Sequence, residues 1–171
     1  LNPFKGTGPD EIPPMVLKHC SALLAPQLTV LFNKLLEQGI FPDSLKSSYV
    51  VPIHKSSTLT NVRNYRPIVI QPALGKIFES LVLDRISFAF RSTLIHEQHG
   101  FTPGRSTVTN LVLYQDYILS SFQNHSQVDS VYIDFSKAFD TVSHAHLLAK
   151  MEAYGVLGSL LQWFRSYLSN R

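Results

Sequence analysis

The sequence predicts a helix-rich α+β fold with one β-hairpin and one central strand. Three observations point to this class. Long stretches carry apolar residues at helical spacing, two short runs rich in β-branched and aromatic residues flank a polar loop, and a third such run covers residues 128–135. The composition agrees, because 44% of the 171 residues are hydrophobic and only 16% are charged. That is enough apolar material for a packed core and too little charge for a disordered chain.

Charge and cysteine content limit the class of function. The formal net charge is +3 and the isoelectric point is near 9.0, which permits a nucleic-acid partner. The single cysteine, Cys20, excludes an intrachain disulfide and a cysteine-rich zinc site, and it fits an intracellular location. No apolar run is long enough to cross a bilayer, and no signal peptide is visible. Because the chain starts with Leu1 and stops after a helical pattern, we expect a fragment of a larger protein.

Two helices are predicted before residue 40. Pro13 and Pro14 suit the first turn of a short helix that ends near Ser21. The next helix is predicted from about Pro26 to Gln38, with Gly39 as its C-terminal stop. Its expected buried face consists of Leu28, Leu31, Phe32, Leu35 and Leu36.

A basic hairpin is predicted in the middle of the first half. The runs Tyr49–Ile53 and Tyr65–Ile70 favour strands, and a polar loop joins them. No acidic residue occurs between Asp43 and Glu79, whereas the same stretch contains Lys46, Lys55, Arg63, Arg66 and Lys76. Phosphate contacts would suit this charge, although a solvated loop is the commoner explanation. Arg66 argues for phosphate, since a planar guanidinium matches phosphate oxygens in a bidentate way.

Four further helices are predicted, from Ala73 to about Phe90, Thr107 to about Phe122, Ser143 to about Tyr154 and Gly158 to Asn170. The helix from Thr107 to about Phe122 carries its apolar residues on one stripe, and we expect this stripe to be mostly a core face. We expect the stripe on the last one to be uncovered; it consists of Leu160, Trp163, Phe164, Tyr167 and Leu168.

The segment from Gln98 to Thr107 is predicted to be a loop that leads into a helix. Gly100 and Gly104 would let its backbone approach another chain closely. Arg105, next to the helix N-terminus, could meet a nucleic-acid phosphate. The alternative is a plain loop in which Ser106 is the N-cap.

Asp134 is the acid with the most informative surroundings. It follows the apolar residues Val131, Tyr132 and Ile133, which favour a strand. A carboxylate at the end of a central strand is a natural ligand for Mg²⁺. The alternative is that Asp134 only caps a following helix.

Five motifs, in one order, carry a resemblance to a known family. Residues 132–142 resemble the first catalytic motif of reverse transcriptases from non-LTR (LINE-type) retrotransposons, and within that family they are most similar to the jockey-like branch. Residues 8–13 are similar to an N-terminal extension motif, residues 51–55 and 64–68 to two fingers motifs, and residues 98–106 to a motif beside the template. The resemblance implies part of a right-hand polymerase, with residues 1–40 as N-terminal extension helices, residues 41–125 as fingers and residues 126–171 as the start of the palm.

The resemblance also implies roles for single residues. In the family, the residue at Asp134 binds two catalytic Mg²⁺ ions, with help from the backbone carbonyl at Phe135. The residues at Lys55 and Arg66 hold the triphosphate, and the residue at Phe139 lies under the sugar of the incoming nucleotide. The motif that contains Gly104 and Arg105 lies beside the template. The implied partners are an RNA template, a DNA primer and deoxynucleoside triphosphates, and the implied location is the cytoplasm and nucleus.

One departure from the family limits what this chain is expected to do. The family needs a second acidic motif with two consecutive aspartates, but the chain has no Asp-Asp pair and no aspartate after Asp140. We therefore expect that the chain alone does not polymerise. Two alternatives remain, a nucleic-acid-binding module without chemistry and a degraded relic of a retrotransposon.

Overall fold

The computed structural model describes residues 1–55 and 58–171 and confirms a helix-rich fold with one hairpin. In chain order the described elements are α1 (Pro14–His19), α2 (Ser21–Gln38), β1 (Tyr49–His54), β2 (Tyr65–Ile70), α3 (Ala73–Phe90), α4 (Thr107–Gln123), α5 (His144–Ala153) and α6 (Gly158–Leu168). The polar loop of the hairpin contains Ser56 and Ser57, which lie outside the described residues. No helix among the described residues combines the length and the apolar character that a membrane span requires.

The chain forms two compact units. The first consists of Leu1–Leu83 together with Thr141–Arg171, and the second of Asp84–Asp140. Among the described residues, every buried hydrophobic side chain belongs to the first unit: Leu17, Phe32, Phe41, Ala73, Phe78, Val82, Val156, Leu161 and Trp163. The hydrophobic core therefore lies in the first unit.

Aromatic side chains make up the centre of this core. Phe32 of α2 stacks on Phe78 of α3 with ring centroids 4.3 Å apart. Trp163 of α6 meets Phe78 edge-to-face at 5.3 Å, and Phe41 meets Trp163 in the same way at 5.4 Å. Edge-to-face and offset pairs are the favoured aromatic geometries. The expectation that the stripe on the last helix is uncovered is therefore wrong, because α2 and α3 supply its partners.

The first unit also corrects the start of one helix. The structure begins α2 at Ser21, five residues before the predicted start, so Pro26 lies inside the helix. Proline has no N–H to donate to the carbonyl four residues earlier. That carbonyl belongs to the exposed Ala22, where water can replace the missing donor. The predicted end is confirmed, because Gly39 takes a left-handed conformation (φ 67°) after Gln38.

The hairpin is antiparallel, as predicted. Tyr49 pairs with Ile70 at one end of the ladder and His54 pairs with Tyr65 at the other, so that Pro52 and Pro67 face each other in the middle. The ladder continues for one more pair, since the N–H of Lys55 donates to the carbonyl of Asn64 at 2.7 Å. This register determines which side chains share a face.

The second unit differs from two expectations. Residues 128–135 form no hydrogen-bonded strand, because no other described segment offers a backbone to pair with them. The predicted core face of α4 is exposed instead, with no buried residue on the whole helix. Helical spacing shows which residues share a stripe, but only another element can bury that stripe.

Candidate functional site

Lys55 and Arg66 lie at one end of the hairpin and on the same face. Arg66 is directly opposite Ile53 in the ladder. Lys55 is two residues after Ile53, where the chain continues past the end of β1. Because side chains alternate between the faces of a strand, Lys55 and Arg66 are diagonal neighbours, a relation in which two residues lie about 7–8 Å apart. Both side chains are exposed. Two cations at this spacing can contact different oxygens of one polyphosphate.

Side-chain hydrogen bonds order this end of the hairpin. The hydroxyl of Tyr65 donates to the carbonyl of Leu59 at 2.8 Å, and the amide of Asn64 donates to the carbonyl of Thr58 at 2.9 Å. On the face opposite Arg66, the rings of His54 and Tyr65 meet at 5.2 Å. These contacts thus fix the backbone next to Lys55 and Arg66.

Asp134, Phe135 and Phe139 follow one another in an exposed part of the second unit. Asp134 is solvent-exposed, as are the rings of Phe135 and Phe139. Among the described residues, no three His, Cys, Asp or Glu side chains are grouped so that they could hold a metal ion. Asp134 can therefore supply one carboxylate, but the side chains in the described part of the chain do not fit a complete magnesium site.

Two tyrosines connect this segment to α4, and no motif pointed to them. The hydroxyl of Tyr132 donates to the hydroxyl of Tyr114 at 3.0 Å, and Tyr114 is also hydrogen-bonded to the hydroxyl of Ser130. The bond to Ser130 lowers the pKa of Tyr114, whereas the bond to Tyr114 raises the pKa of Tyr132. These bonds hold the residues just before Asp134 against α4 without any strand pairing.

Arg105 is engaged within its own loop. Its Nη1 donates to the carbonyls of Gln98, at 2.9 Å, and of His96. The Arg105 side chain thereby closes the loop between residues 96 and 105. Gly104 adopts φ 77°, a conformation that favours glycine, and a Cβ built there would meet nothing within 4 Å. Gly104 therefore allows the backbone of this loop to turn. Template contact by Gly104 and Arg105 stays a prediction.

The same loop continues into a capped helix. The hydroxyl of Ser106 accepts from the N–H of Thr109 at 3.2 Å, and the N–H of Ser106 donates to the hydroxyl of Thr109 at 2.9 Å. Ser106 is the N-cap of α4, as the alternative interpretation of this segment expected, and the reciprocal pair forms a capping box. The buried ring of His99 lies against this cap, with Nδ1 2.9 Å from the Thr109 hydroxyl.

An aromatic pair joins the loop to the segment after Asp134. The rings of Phe101 and Phe139 meet edge-to-face with centroids 6.0 Å apart. Phe101 also has φ 57°, which is uncommon for a residue with a side chain. The sequence did not point to this pair, since the two residues are 38 positions apart. The predicted residues thus fall into two sets, with Lys55 and Arg66 in the first unit and Gly104, Arg105, Asp134, Phe135 and Phe139 in the second.

Comparison with known proteins agrees with the motifs. Residues 53–171 match the family model described as reverse transcriptase (RNA-dependent DNA polymerase). The chain is 30% identical over 167 residues to the probable RNA-directed DNA polymerase from transposon BS of Drosophila melanogaster, which covers 92% of this chain and 18% of that protein. It is 35% identical over 126 residues to the RNA-directed DNA polymerase from mobile element jockey of the same species, which covers 72% of this chain and 14% of that protein. The chain therefore spans less than a fifth of the length of these relatives.

Proposed function

Because this chain belongs to the reverse transcriptase (RNA-dependent DNA polymerase) family, we propose that it functions as part of an RNA-directed DNA polymerase. Its part is to bind the incoming deoxynucleotide, to contact the template and to supply one catalytic carboxylate. The reaction is attack of a primer 3′-hydroxyl on the α-phosphate of a deoxynucleoside triphosphate, copied from RNA. The relatives that support this proposal are named as RNA-directed DNA polymerases of mobile elements.

The pairing register of the hairpin is the observation that carries the proposal. It brings Lys55 and Arg66, from different strands, to one face at the same end of the ladder. The bidentate guanidinium and the ammonium then contact separate phosphate oxygens and neutralise their charge. The ordered hairpin end reduces the entropy lost when a flexible triphosphate binds.

We assign Asp134 as the one side-chain metal ligand that this chain contributes, together with the backbone carbonyl of Phe135. When bound, Mg²⁺ ions would stabilise charge on the attacking and leaving oxygens of the transfer. Other carboxylates have to complete such a site. Phe139 has the separate role of selecting deoxynucleotides, since a bulky ring under the sugar excludes a 2′-hydroxyl.

Nucleotide binding by the full chain tests the hairpin assignment. We expect Arg66→Ala to raise the dissociation constant for a deoxynucleoside triphosphate about tenfold or more, because it removes charge-assisted hydrogen bonds. Lys55→Ala should have a smaller effect, as a single point charge is lost. Isothermal titration with the triphosphate and with the matching monophosphate would measure both changes.

Arg63→Ala is the matched control for this test. Arg63 lies in a 3₁₀ turn between the strands, and its exposed side chain has the same charge as Arg66. The dissociation constant should then stay within about twofold of the wild type, as for other exposed charges. If Arg63→Ala weakens binding as much as Arg66→Ala, only the overall basic charge matters and the assignment is wrong.

A primed RNA template tests the expectation about catalysis. We expect no primer extension by this chain alone, since Asp134 is one carboxylate where a two-ion site needs several. Extension that depends on Mg²⁺ and disappears in Asp134→Asn would overturn this expectation.

The two alternatives give different results. A binding module without chemistry would hold RNA or DNA in a salt-sensitive way and weaken on Arg66→Ala or Arg105→Ala, without the selective preference for triphosphates. A degraded relic would unfold over a broad temperature range and bind no nucleic acid.

A further inference from the structure

One face of α4 carries an uncovered apolar stripe. Five of its large apolar side chains are each between 51% and 66% exposed: Val108, Leu111, Val112, Leu119 and Phe122. Ile118, on the same stripe, is half-buried. Side chains of this kind gain free energy when they leave water, and several together on one surface mark an interaction site. The stripe therefore calls for a partner, and the order of its residues indicates which partner fits.

The stripe is symmetric about Gln115. Apolar residues lie three, four and seven positions before Gln115, and again three, four and seven positions after it. When two antiparallel copies of α4 cross at Gln115, each position before it meets the equivalent position after it in the other copy. Leu111 then meets Leu119 of the second copy, and Val108 meets Phe122 of the second copy. The stripe is thus complementary to itself.

We propose that α4 pairs with α4 of a second copy of this chain, in antiparallel orientation and about a twofold axis at Gln115. A twofold interface uses the same surface on both chains, and the symmetric stripe meets this requirement. The two Gln115 side-chain amides meet at the axis, where each can donate to the carbonyl of the other. A single polar pair of this kind fixes the register of two helices. The pairing does not depend on the proposed function, because α4 contains none of the residues assigned to the nucleotide, the metal or the template.

Charge on α4 favours a second copy over a nucleic acid as the partner. The helix has no lysine or arginine that could meet a phosphate, and Asp116 is its one charged residue. Asp116 lies about 100° around the helix from Gln115, at one edge of the stripe, so salt can screen the repulsion between the two copies of this carboxylate. Tyr114, which is hydrogen-bonded to Ser130 and Tyr132, lies at the other edge. These bonds therefore leave the stripe open.

The length of α4 limits the strength of the pair. A helix of 17 residues is about 25 Å long, so the interface is at the small end of specific protein contacts. The capping box already orders the first turn, which lowers the entropy lost on pairing. We expect a reversible equilibrium, in which the dilute chain is a monomer with an exposed α4 and the dimer forms within the micromolar range.

Sedimentation equilibrium of the full chain tests the pairing. We expect the mass to rise from that of the 19.3 kDa monomer to twice that value as the concentration increases through the micromolar range. Leu111→Lys should raise the dissociation constant at least about tenfold, because it places a charge opposite an apolar side chain in the interface. Leu119→Glu should have the same effect for the same reason. Added salt should tighten the wild-type dimer, since it screens the two Asp116 carboxylates.

The double variant Leu111→Lys with Leu119→Glu tests the antiparallel register. In the antiparallel pair each lysine faces a glutamate of the other copy, so the double variant should regain part of the affinity that each single variant loses. In a parallel pair each lysine would face a lysine, and the losses would add. A double variant that dimerises no more tightly than the single variants would overturn the antiparallel pairing.

Leu113→Lys is the matched control. Leu113 is 42% exposed and lies about 200° around the helix from Gln115, away from the stripe, so the same substitution there should leave dimerisation unchanged. The proposal is overturned if Leu113→Lys weakens the dimer as much as Leu111→Lys does. It is also overturned if the wild type stays a monomer throughout the micromolar range, or if it forms species larger than a dimer, because a twofold interface closes on itself. The concentration dependence of the wild type decides the question even if a variant unfolds.

Discussion

At the scale of single residues, Tyr167 couples the packing of α6 to pH. Its ring stacks on Trp163 at 5.3 Å and lies under the guanidinium of Arg171 at 4.3 Å. Burial, followed by the negative charge of Glu79, raises the pKa of Tyr167 above its ordinary value of 10.0. The folded state therefore holds this proton more tightly than the unfolded state does.

The raised pKa of Tyr167 makes the free energy of unfolding depend on pH in the alkaline range. The stabilising contribution of the neutral phenol is fully present below the unfolded pKa and is lost as the pH rises through the higher folded pKa. We expect the free energy of unfolding to fall as the pH rises above about 10, the ordinary tyrosine value, and through the higher folded pKa, and to fall less in Tyr167→Phe. Urea unfolding at several pH values would measure both proteins. Tyr49→Phe, which changes an exposed tyrosine, should keep the wild-type dependence; if it flattens the profile as much as Tyr167→Phe, the assignment is wrong.

Gly39 shows a second effect at the residue scale. A Cβ at this position would lie 2.6 Å from the Cβ of Gln162 and 3.0 Å from the carbonyl of Ser159, both in α6. We expect Gly39→Ala to lower the free energy of unfolding by more than the about 1–2 kcal/mol of a left-handed alanine, because α6 also has to move. Gly158→Ala is the control, since Gly158 has a similar φ of 60° and open space around it. Equal losses in urea unfolding would mean that contact with α6 is unimportant.

At the scale of elements, the two prolines of the hairpin protect its edges. Because Lys55 and Asn64 form a hydrogen-bonded pair, the pair Pro52 and Pro67 falls at a position where backbone N–H groups would point outward. Proline has no N–H, so each edge of the two-stranded sheet lacks its central donor. Exposed strands with complete edges tend to pair with other chains.

This arrangement predicts self-association when the donors are restored. We expect the double variant Pro52→Val with Pro67→Val to associate as its concentration rises, and sedimentation velocity would detect the larger species. The double variant with lysine at both positions restores the same donors but adds charge at the edges, which opposes pairing. It should sediment like the wild type. Association of the lysine variant, or none in the valine variant, would show that the prolines do not guard the edges.

At the scale of the whole molecule, the two units differ in how much apolar surface they bury. All of the buried hydrophobic side chains among the described residues belong to the first unit, and α4 in the second unit has none. Helices gain most of their stability from burying an apolar face. We therefore expect amide hydrogens of α4 to exchange faster than those of α2 and α6, since local opening costs less where little is buried.

Hydrogen exchange with mass spectrometry measures this difference peptide by peptide. Equal protection of α4 and α2 would contradict the expectation.

Much of the fold follows from local chemistry that the sequence displays directly. Gly39 ends α2 because left-handed backbone suits glycine, Ser106 caps α4 because its hydroxyl reaches a nearby N–H, and the two β-branched runs form the hairpin. Each of these depends on neighbours within a few positions. The family motifs were readable for a similar reason, as each is a short consecutive string of residues, and the family model matches residues 53–171.

The tertiary structure decided everything that depends on a distant partner. Both α4 and α6 carry an apolar stripe at helical spacing, yet the stripe of α6 is covered because Phe41 and Phe78 contact Trp163, whereas α4 stays exposed. Residues 128–135 have strand-forming side chains but lack a strand to bond with. The contact between Phe101 and Phe139 likewise depends on two segments meeting in space. By itself, the sequence determined the helices, the hairpin, most of their ends and the family, because each depends on adjacent residues. Burial, strand pairing and the contact between Phe101 and Phe139 needed the tertiary structure, because each takes its free energy from residues far along the chain.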